Sequence, residues 1–253
     1  MRNRTRLSYL AALLVSSLFV ACSAPQTSQT AQSQEDNTNT QSQSEELMNP
    51  SRINAPQVGI PDAQWNQSRG TVSDGNDTNA DNDPTLILTG KSSDIIIYFS
   101  RSGSTELLAS KIQNQLRADA LEIVVKDPYS SNYYDTVERA NGEREEEDDP
   151  ELNMDVPDLS AYQHVYLGYP IWGMTLAEPM ASFLEEYGRL LSGKTISPFS
   201  TNGSYGIGAS VQRIQRILGD QGVQADITEA YTIQGNRVNE ADSSLKQWLD
   251  AVK

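Results

Sequence analysis

From Pro84 to the C-terminus, short apolar runs bounded by turn residues alternate with longer amphipathic stretches. This alternation is typical of a parallel α/β sheet, and the continuously apolar run Ile95 to Phe99 is expected of a strand covered on both faces. Strands are predicted at Asp94–Ser100, Leu121–Val125, His164–Gly168, Thr195–Ser200 and Asp226–Gln234. Helices are predicted at Thr105–Arg117, Tyr133–Glu146, Pro179–Leu191, Ser210–Asp220 and Glu240–Val252. Residues 84–253 are therefore long enough to form one folded domain with one core.

The N-terminus has the pattern of a signal peptide over residues 1–21. Three arginines precede an apolar stretch, Leu7 to Val20, that is short for a transmembrane helix. The stretch ends in Leu18 to Cys22, which resembles a bacterial lipobox, with Phe19 where Leu is more usual. In that motif the cysteine is lipidated after cleavage, so we expect a lipoprotein anchored to a cell membrane, outside the cytoplasm, through Cys22. The alternatives are an ordinary signal peptide with an incidental cysteine and an uncleaved anchor.

Residues 22–83 are rich in Ser, Thr, Gln, Asn and Asp, and Trp65 is their only aromatic residue. Such a segment buries too little apolar area to offset the entropy lost on ordering. We therefore predict a disordered polar tether between the anchor and the domain. Scattered apolar residues between Ile53 and Trp65 leave open whether part of this tether docks on the domain.

Charge and residue counts exclude several classes of function. The chain has a net charge of -15, with 34 acids against 19 bases, which disfavours nucleic-acid binding. Cys22 and His164 are its only cysteine and histidine, so neither an internal disulfide nor a Cys/His metal site can form, and no metal is expected. His164 is not accompanied by the Gly-x-Ser-x-Gly turn of many serine hydrolases, and we interpret it as structural.

The loop that follows the first strand has the composition of a phosphate site. Ser100 to Thr105 carries hydroxyl side chains and opens a helix, and helix N-termini present unpaired N–H groups and favour negative charge. Gly103 allows an anion to approach the backbone closely. The glycine spacing fits neither a P-loop nor the dinucleotide fingerprint. Taken alone, the loop could also be a Ser-rich turn with a helix cap.

Two further loops follow later strands. Gly168 to Gly173 offers a flat apolar surface through Tyr169 and Trp172, and Ser200 to Gly206 combines hydrogen-bonding side chains with glycines for tight turns. We call the loop at 100–105 the first loop, and these two the second and third loops. In isolation the second loop could hold a core or lid tryptophan, and the third could be an ordinary surface loop. In a doubly wound sheet, however, all three loops meet at one edge, where such folds bind ligands.

The sequence resembles the flavodoxin family from about Ile95 to Val252. The likeness is carried by Tyr-Phe-Ser-Arg-x-Gly-x-Thr at 98–105, Leu167 to Trp172, Gly193 to Phe199, and tyrosines 129, 133 and 134. The resemblance implies an α/β fold: a flavodoxin-like three-layer sandwich with a five-stranded parallel sheet in the order 2-1-3-4-5. It also implies FMN as the cofactor.

The resemblance assigns roles to residues of all three loops. The FMN phosphate would be held by Ser100, Arg101, Ser102, Gly103, Ser104 and Thr105. The isoalloxazine would be flanked by Tyr169, Pro170, Ile171, Trp172 and Gly173, with Trp172 as the stacking ring. The other side would be closed by Thr201, Asn202, Gly203, Ser204 and Tyr205. Relatives often have Asn in place of Ser104 and His-Gly-Gly-Ser in place of residues 202–205, which makes the third loop the least typical part.

The function expected on this basis is electron transfer by an FMN-binding protein. Its partners would be redox proteins or small electron acceptors, and stacking together with an acidic surround would give a low reduction potential. Two alternatives are an NAD(P)H-dependent, quinone-type reductase and a lipoprotein that uses the fold for binding without redox chemistry. The acidic run from Glu143 to Asp149 is a solvated helix end or, alternatively, a docking face for a basic partner.

Overall fold

A computed structural model describes residues 47–65, 78 and 82–253. The predicted signal peptide, Cys22 and the remainder of the tether lie outside the described residues. Among the residues it does describe, no helix is both long and apolar enough to cross a bilayer.

A mostly parallel sheet forms the centre of the domain. Its strands are β1 (Leu86–Ile87), β2 (Asp94–Tyr98), β3 (Asp119–Glu122), β4 (His164–Trp172), β5 (Thr175–Leu176), β6 (Thr195–Asn202), β7 (Asp226–Ile227) and β8 (Tyr231–Gln234). They lie in the order β1-β3-β2-β4-β6-β7, with β5 paired to β4 and β8 paired to β6. β1 is antiparallel to β3 and β5 is antiparallel to β4, whereas all other strand pairs are parallel.

Helices cover both faces of the sheet. They are α1 (Asp62–Trp65), α2 (Ser104–Leu116), α3 (Tyr133–Glu146), α4 (Glu178–Tyr187), α5 (Ser210–Asp220) and α6 (Asp242–Val252), with 3₁₀ turns at Pro50–Arg52, Gly188–Leu191 and Gly235–Glu240. α2 and α6 pack on one face against Ile96 and Tyr98, whereas α4 and α5 pack on the other face against Ile95 and Ile97. The side chains of β2 thus contribute alternately to two apolar layers, because neighbouring side chains of a strand point to opposite faces of the sheet.

All five predicted strands differ from the observed ones in extent. β2 ends at Tyr98, two residues before the predicted end, and β6 continues to Asn202, two residues beyond it. The second strand begins at Asp119 rather than Leu121, because the buried Asp119 carboxylate accepts hydrogen bonds from Thr89 and from Tyr162 Oη. The predicted fifth strand is divided into β7 and β8, and the Glu229 carbonyl between them accepts a hydrogen bond from Trp248 Nε1 instead of a neighbouring strand. β4 continues to Trp172, four residues beyond the predicted end. The sheet also gains two short antiparallel strands, β1 and β5, that the sequence analysis did not predict.

Residues 47–65, which the sequence analysis assigned to the tether, pack on the domain, and we call them the strap. Met48 is buried in the apolar layer between α2 and α6, and Trp65 is 4% exposed. Backbone groups are also paired, since Gln113 accepts from the Met48 amide at 3.3 Å and Asn236 donates to the Ile60 carbonyl at 2.7 Å. The folded unit therefore includes the strap as well as the region from Pro84 onward.

Candidate functional site

A cavity of about 460 Å³ opens at the carboxyl edge of the sheet. The strands that lead to this edge are parallel and in register, as Tyr98, Gly168 and Phe199 lie side by side. The predicted site residues that line the cavity are Ser100, Arg101, Ser102, Ser104, Thr105, Pro170, Ile171, Trp172, Gly173, Thr201, Asn202, Gly203 and Tyr205. The three loops therefore meet around one space, and Gly103, Tyr169 and Ser204 are the predicted residues that do not line it.

The N-terminus of α2 forms one end of the cavity. Gly103 caps the helix in the left-handed conformation, at φ 78°, without a side-chain hydrogen bond to the first turn. Thr105 Oγ1 lies 2.8 Å from Thr201 Oγ1, which joins this loop to the third one. Ser104 is only 3% exposed, and no described residue forms a hydrogen bond with its Oγ. A buried hydroxyl without a partner costs free energy, so this end of the cavity is built to meet a polar group.

Two predicted phosphate ligands have other contacts. The guanidinium of Arg101 lines the cavity but donates to the carbonyl of Ser130 at 3.0 Å, which ties the first loop to the segment before α3. Gly103 faces the strap instead of the cavity, since a Cβ at this position would lie 1.8 Å from the carbonyl oxygen of Asn54. Glycine is required here both for its positive φ and for this close approach.

Another part of the cavity wall is aromatic and is formed by Trp172. The Trp172 ring packs at steep angles against Phe99 and Tyr129, with ring centroids 5.6 and 4.9 Å apart. Tyr129 is fixed in turn, because its hydroxyl donates to Glu143 Oε2 at 2.5 Å and the Arg139 guanidinium lies 4.0 Å above its ring. Edge-to-face packing of this kind holds the indole in one orientation.

Tyr169 is fully buried and does not reach the cavity. Its hydroxyl donates to Ser210 Oγ at 3.2 Å, and burial raises its pKa. Because β4 continues past Gly168, strand alternation points the Tyr169 side chain into the same apolar layer as Leu167.

A two-residue turn at Gly173 and Met174 joins β4 to β5. Both residues have positive φ, 52° and 66°, as in the tight hairpin turns that match strand twist. Met174 lines the cavity and is 49% exposed, and its carbonyl accepts a hydrogen bond from the Ala209 amide at 2.8 Å. This contact fixes the second loop against the segment between the third loop and α5.

The third loop is shaped by the side chain of Asn202. Its Oδ1 accepts from the Ser204 amide at 2.8 Å, and its Nδ2 donates to Thr232 Oγ1 at 2.9 Å. The first bond forms an Asx turn, and Ser204 follows it at φ 90°, away from the cavity lining. Tyr205 stands at the rim and is 55% exposed.

The sequence analysis missed one complete wall of the cavity, which α3 forms. The wall consists of Tyr133, Thr136, Val137, Ala140, Asn141 and Arg144. These residues share a helix face at spacings of three and four, with the shorter Thr136, Val137, Ala140 and Asn141 between Tyr133 and Arg144. That stripe is the signal that could have indicated a face packed against something flat. Gln57, Trp65, Met174 and Gly235 were also missed as lining residues.

Arg144 is fixed at the cavity wall by a buried carboxylate. Glu178 is fully buried and bridges Arg144 Nη1 at 3.0 Å and Arg213 Nη2 at 2.6 Å. The Arg144 guanidinium also lies against Gly173, where a Cβ would be 2.6 Å from Cζ. The acidic run is thus not only a solvated helix end, since Asp149 lies 3.5 Å from Arg213 and burial raises its pKa to about 7.

The sequence model of the flavodoxin family matches residues 93–252, which is more than half of the chain. The chain belongs to the flavodoxin family. This flavodoxin-family chain matches no protein of curated function at a significant level.

Solved structures share the same fold. A candidate flavoprotein from Bacteroides eggerthii is 24% identical with a TM-score of 0.53, over 63% of this chain and 96% of that chain. One from Bacteroides uniformis is 24% identical with a TM-score of 0.53, over 62% and 97%. A Lactobacillus acidophilus flavoprotein, solved in complex with FMN, is 21% identical with a TM-score of 0.51, over 62% and 97%. At these identities the likeness establishes the flavodoxin-like fold.

A partly buried carboxyl in the first turn of α2, that of Glu106, makes the stability of the domain dependent on pH. Burial, with a smaller contribution from the charge of Glu122, raises the pKa of Glu106 to about 8. Glu122 accepts hydrogen bonds from the Thr85 amide and Tyr98 Oη, and burial raises its pKa as well. At neutral pH, Glu106 is therefore mostly protonated beside the helix N-terminus.

We expect Glu106→Gln to weaken the pH dependence of stability. A carboxyl whose pKa is raised on folding stabilises the folded state below its unfolded pKa, and this contribution is lost as pH rises through the folded pKa. The free energy of unfolding of the wild type should therefore fall between about pH 5 and pH 8, and more steeply than that of the variant. Urea unfolding across this range measures both slopes. The exposed Glu138→Gln is the matched control, and equal slopes for all three proteins would contradict the assignment.

Proposed function

We propose that this protein binds FMN in the cavity at the carboxyl edge and transfers electrons while held outside the cytoplasm by a lipid on Cys22. The observation that carries the proposal is the convergence of a helix N-terminus, a buried hydroxyl and a braced indole on one space of about 460 Å³. This volume lies in the usual range for cofactor sites. The FMN complex of the Lactobacillus acidophilus flavoprotein supports the same cofactor.

The residues present fit the phosphate of FMN at the α2 end. Ser104 Oγ has no hydrogen-bond partner among the described residues, and the first-turn amides of a 13-residue helix attract a dianion. Ser102 and Thr105 would add hydroxyl donors from the same loop. Protonation of Glu106 limits repulsion of the phosphate in this first turn.

The residues of the aromatic part of the wall fit a planar ring. Trp172 offers an apolar face that Phe99 and Tyr129 hold in place, and the shorter α3 side chains at Thr136, Val137 and Ala140 leave room for a flat group. When bound, FMN supplies one- and two-electron redox chemistry. The protein would orient the ring, exclude water from it and set the charges around it.

The rim of the cavity favours a carrier over a reductase. Met174 and Tyr205 are large, exposed and at the opening, which suits contact with another protein. The chain has no dinucleotide fingerprint, so NAD(P)H would have to bind transiently on the flavin. Steady NAD(P)H oxidation by the pure protein with a quinone would favour the reductase instead.

The purified protein should be yellow and contain one FMN per chain, and Ser104→Ala should weaken FMN binding about 10- to 100-fold. That range corresponds to one hydrogen bond to a charged group, about 1.5–3 kcal/mol. Ser110→Ala, in the same helix but outside the cavity lining, should bind FMN as the wild type does. Absorption spectra and FMN fluorescence titration measure both. A colourless wild type that cannot be reconstituted with FMN would overturn the proposal.

Removing the charge of Arg144 should lower the reduction potential of the bound flavin. The reduced ring is anionic, and a fixed cation at the wall stabilises it by about 1–2 kcal/mol, or about 20–45 mV for two electrons. Arg144→Gln should show this decrease in a spectroelectrochemical titration, whereas Arg144→Lys should retain most of the potential. The exposed Arg216→Gln serves as a control for net charge. An unchanged potential in Arg144→Gln would remove Arg144 from the site.

The membrane anchor is tested separately. Cys22→Ser should move the protein from the membrane fraction to the soluble fraction after expression in a bacterium, because lipidation needs the thiol. Palmitate labelling of the wild type and not of the variant would support the anchor. Membrane association that persists in Cys22→Ser would contradict it.

A further inference from the structure

The strap reaches the cavity with two of its residues. Gln57 and Trp65 both line it, and both are more than nine-tenths buried. The strap lies outside residues 93–252, the part of the chain that the family model matches. A segment outside the family fold thus supplies part of the cavity wall.

The strap runs along α2 and is fixed at both ends. At the C-terminal end of α2, Gln113 and Asn114 form hydrogen bonds with the backbone of Met48. At the cavity end, Arg237 Nε donates to Asp62 Oδ1 at 3.1 Å, and the Gly59 amide donates to the Asn236 carbonyl at 2.7 Å. These contacts position Trp65 independently of anything bound in the cavity.

Two glycines of the domain admit the strap at close range. A Cβ at Gly103 would lie 1.8 Å from the Asn54 carbonyl oxygen and 2.9 Å from Ala55 Cα. A Cβ at Gly235 would lie 3.2 Å from Trp65 Cη2 and 3.4 Å from Ser104 Oγ. The indole of Trp65 and the hydroxyl of Ser104 therefore both border Gly235, near the end of the cavity that the α2 N-terminus forms.

We infer that Trp65 is a cofactor-binding residue and that the strap closes the phosphate end of the FMN site. The inference rests on the proposed function. With the indole in place, the phosphate and the adjoining part of FMN would be covered by protein and shielded from water. Because the strap is part of the same chain, its high effective concentration keeps it closed without a second molecule. Strap docking and FMN binding would therefore stabilise each other.

The covering should act mainly on the rate of FMN release. Most affinity changes at one site appear in the dissociation rate, and a buried aromatic ring against a ligand is a large contribution. In the full chain, we expect Trp65→Ala to raise the FMN dissociation rate on the order of 10- to 100-fold and Trp65→Phe to raise it less. The exposed Gln64→Ala, in the same short helix, should leave the rate unchanged.

A second variant and a second measurement distinguish an effect of strap docking on FMN release from an effect of lower overall stability. Asp62→Asn weakens the anchor to Arg237 without changing the cavity lining, and it should also speed FMN release. FMN should in turn slow tryptic cleavage after the exposed Arg52 in the wild type, and less so in Trp65→Ala. Stopped-flow fluorescence recovery of released FMN measures the rates.

The outcomes are distinguishable. Equal dissociation rates for wild type, Trp65→Ala and Asp62→Asn would overturn the inference and leave FMN binding intact. Failure of the wild type to bind FMN would overturn the proposed function and the inference together. Faster release in both strap variants but not in Gln64→Ala would establish the strap as part of the site.

Discussion

Parallel pairing of β4 with β2 on one side and β6 on the other is the constraint on which the site depends. The pairing aligns Tyr98, Gly168 and Phe199, so all three strands lead to the same edge of the sheet, with β4 and β6 extending past this level to Trp172 and Asn202. Gly168 makes this alignment sterically feasible, because a Cβ there would lie 2.2 Å from the Phe199 ring. The hydrogen bond between Thr105 and Thr201 then joins two of the loops directly. The position of the cavity thus follows from the register of the strands, and the loops supply the side chains that line it.

Much of this arrangement could be predicted from local sequence, and the exceptions have physical reasons. The apolar run at 95–99 and the hydroxyl-rich turn after it indicate a buried strand and a helix N-terminus without reference to the rest of the chain. Tyr169 could not be placed, because its direction depends on how far β4 extends, and β5 decides that by pairing with its end. The α3 wall was missed because its residues form no local motif, and because Arg144 is placed there by Glu178, which is distant in sequence.

The strap shows where composition misleads. Its polar character favours a flexible tether, yet Met48 and Trp65 are buried and its backbone groups are paired by Gln113, Asn114 and Asn236. The apolar residues are few, but the domain has complementary positions for the strap. Gly103 leaves space for the strap backbone at Asn54, and Gly235 leaves space for the indole of Trp65. Sequence periodicity cannot detect such docking, because a segment without regular structure has no period.

The charges around the cavity differ from the net charge of the chain, because buried ion pairs determine them. Surface acids are solvated and screened, whereas Glu178 is fully buried and pairs with both Arg144 and Arg213. Buried ion networks often add little to stability compared with apolar packing, so stability is a weak reason for this one. Its clearest structural consequence is that Arg144 is held against Gly173 at the cavity wall. A cation fixed at that position would counteract the acidic residues near a bound flavin ring, which becomes negative on reduction. The positive charge of Arg144 would therefore raise the reduction potential of the flavin, whereas the negative net charge of the protein would lower it.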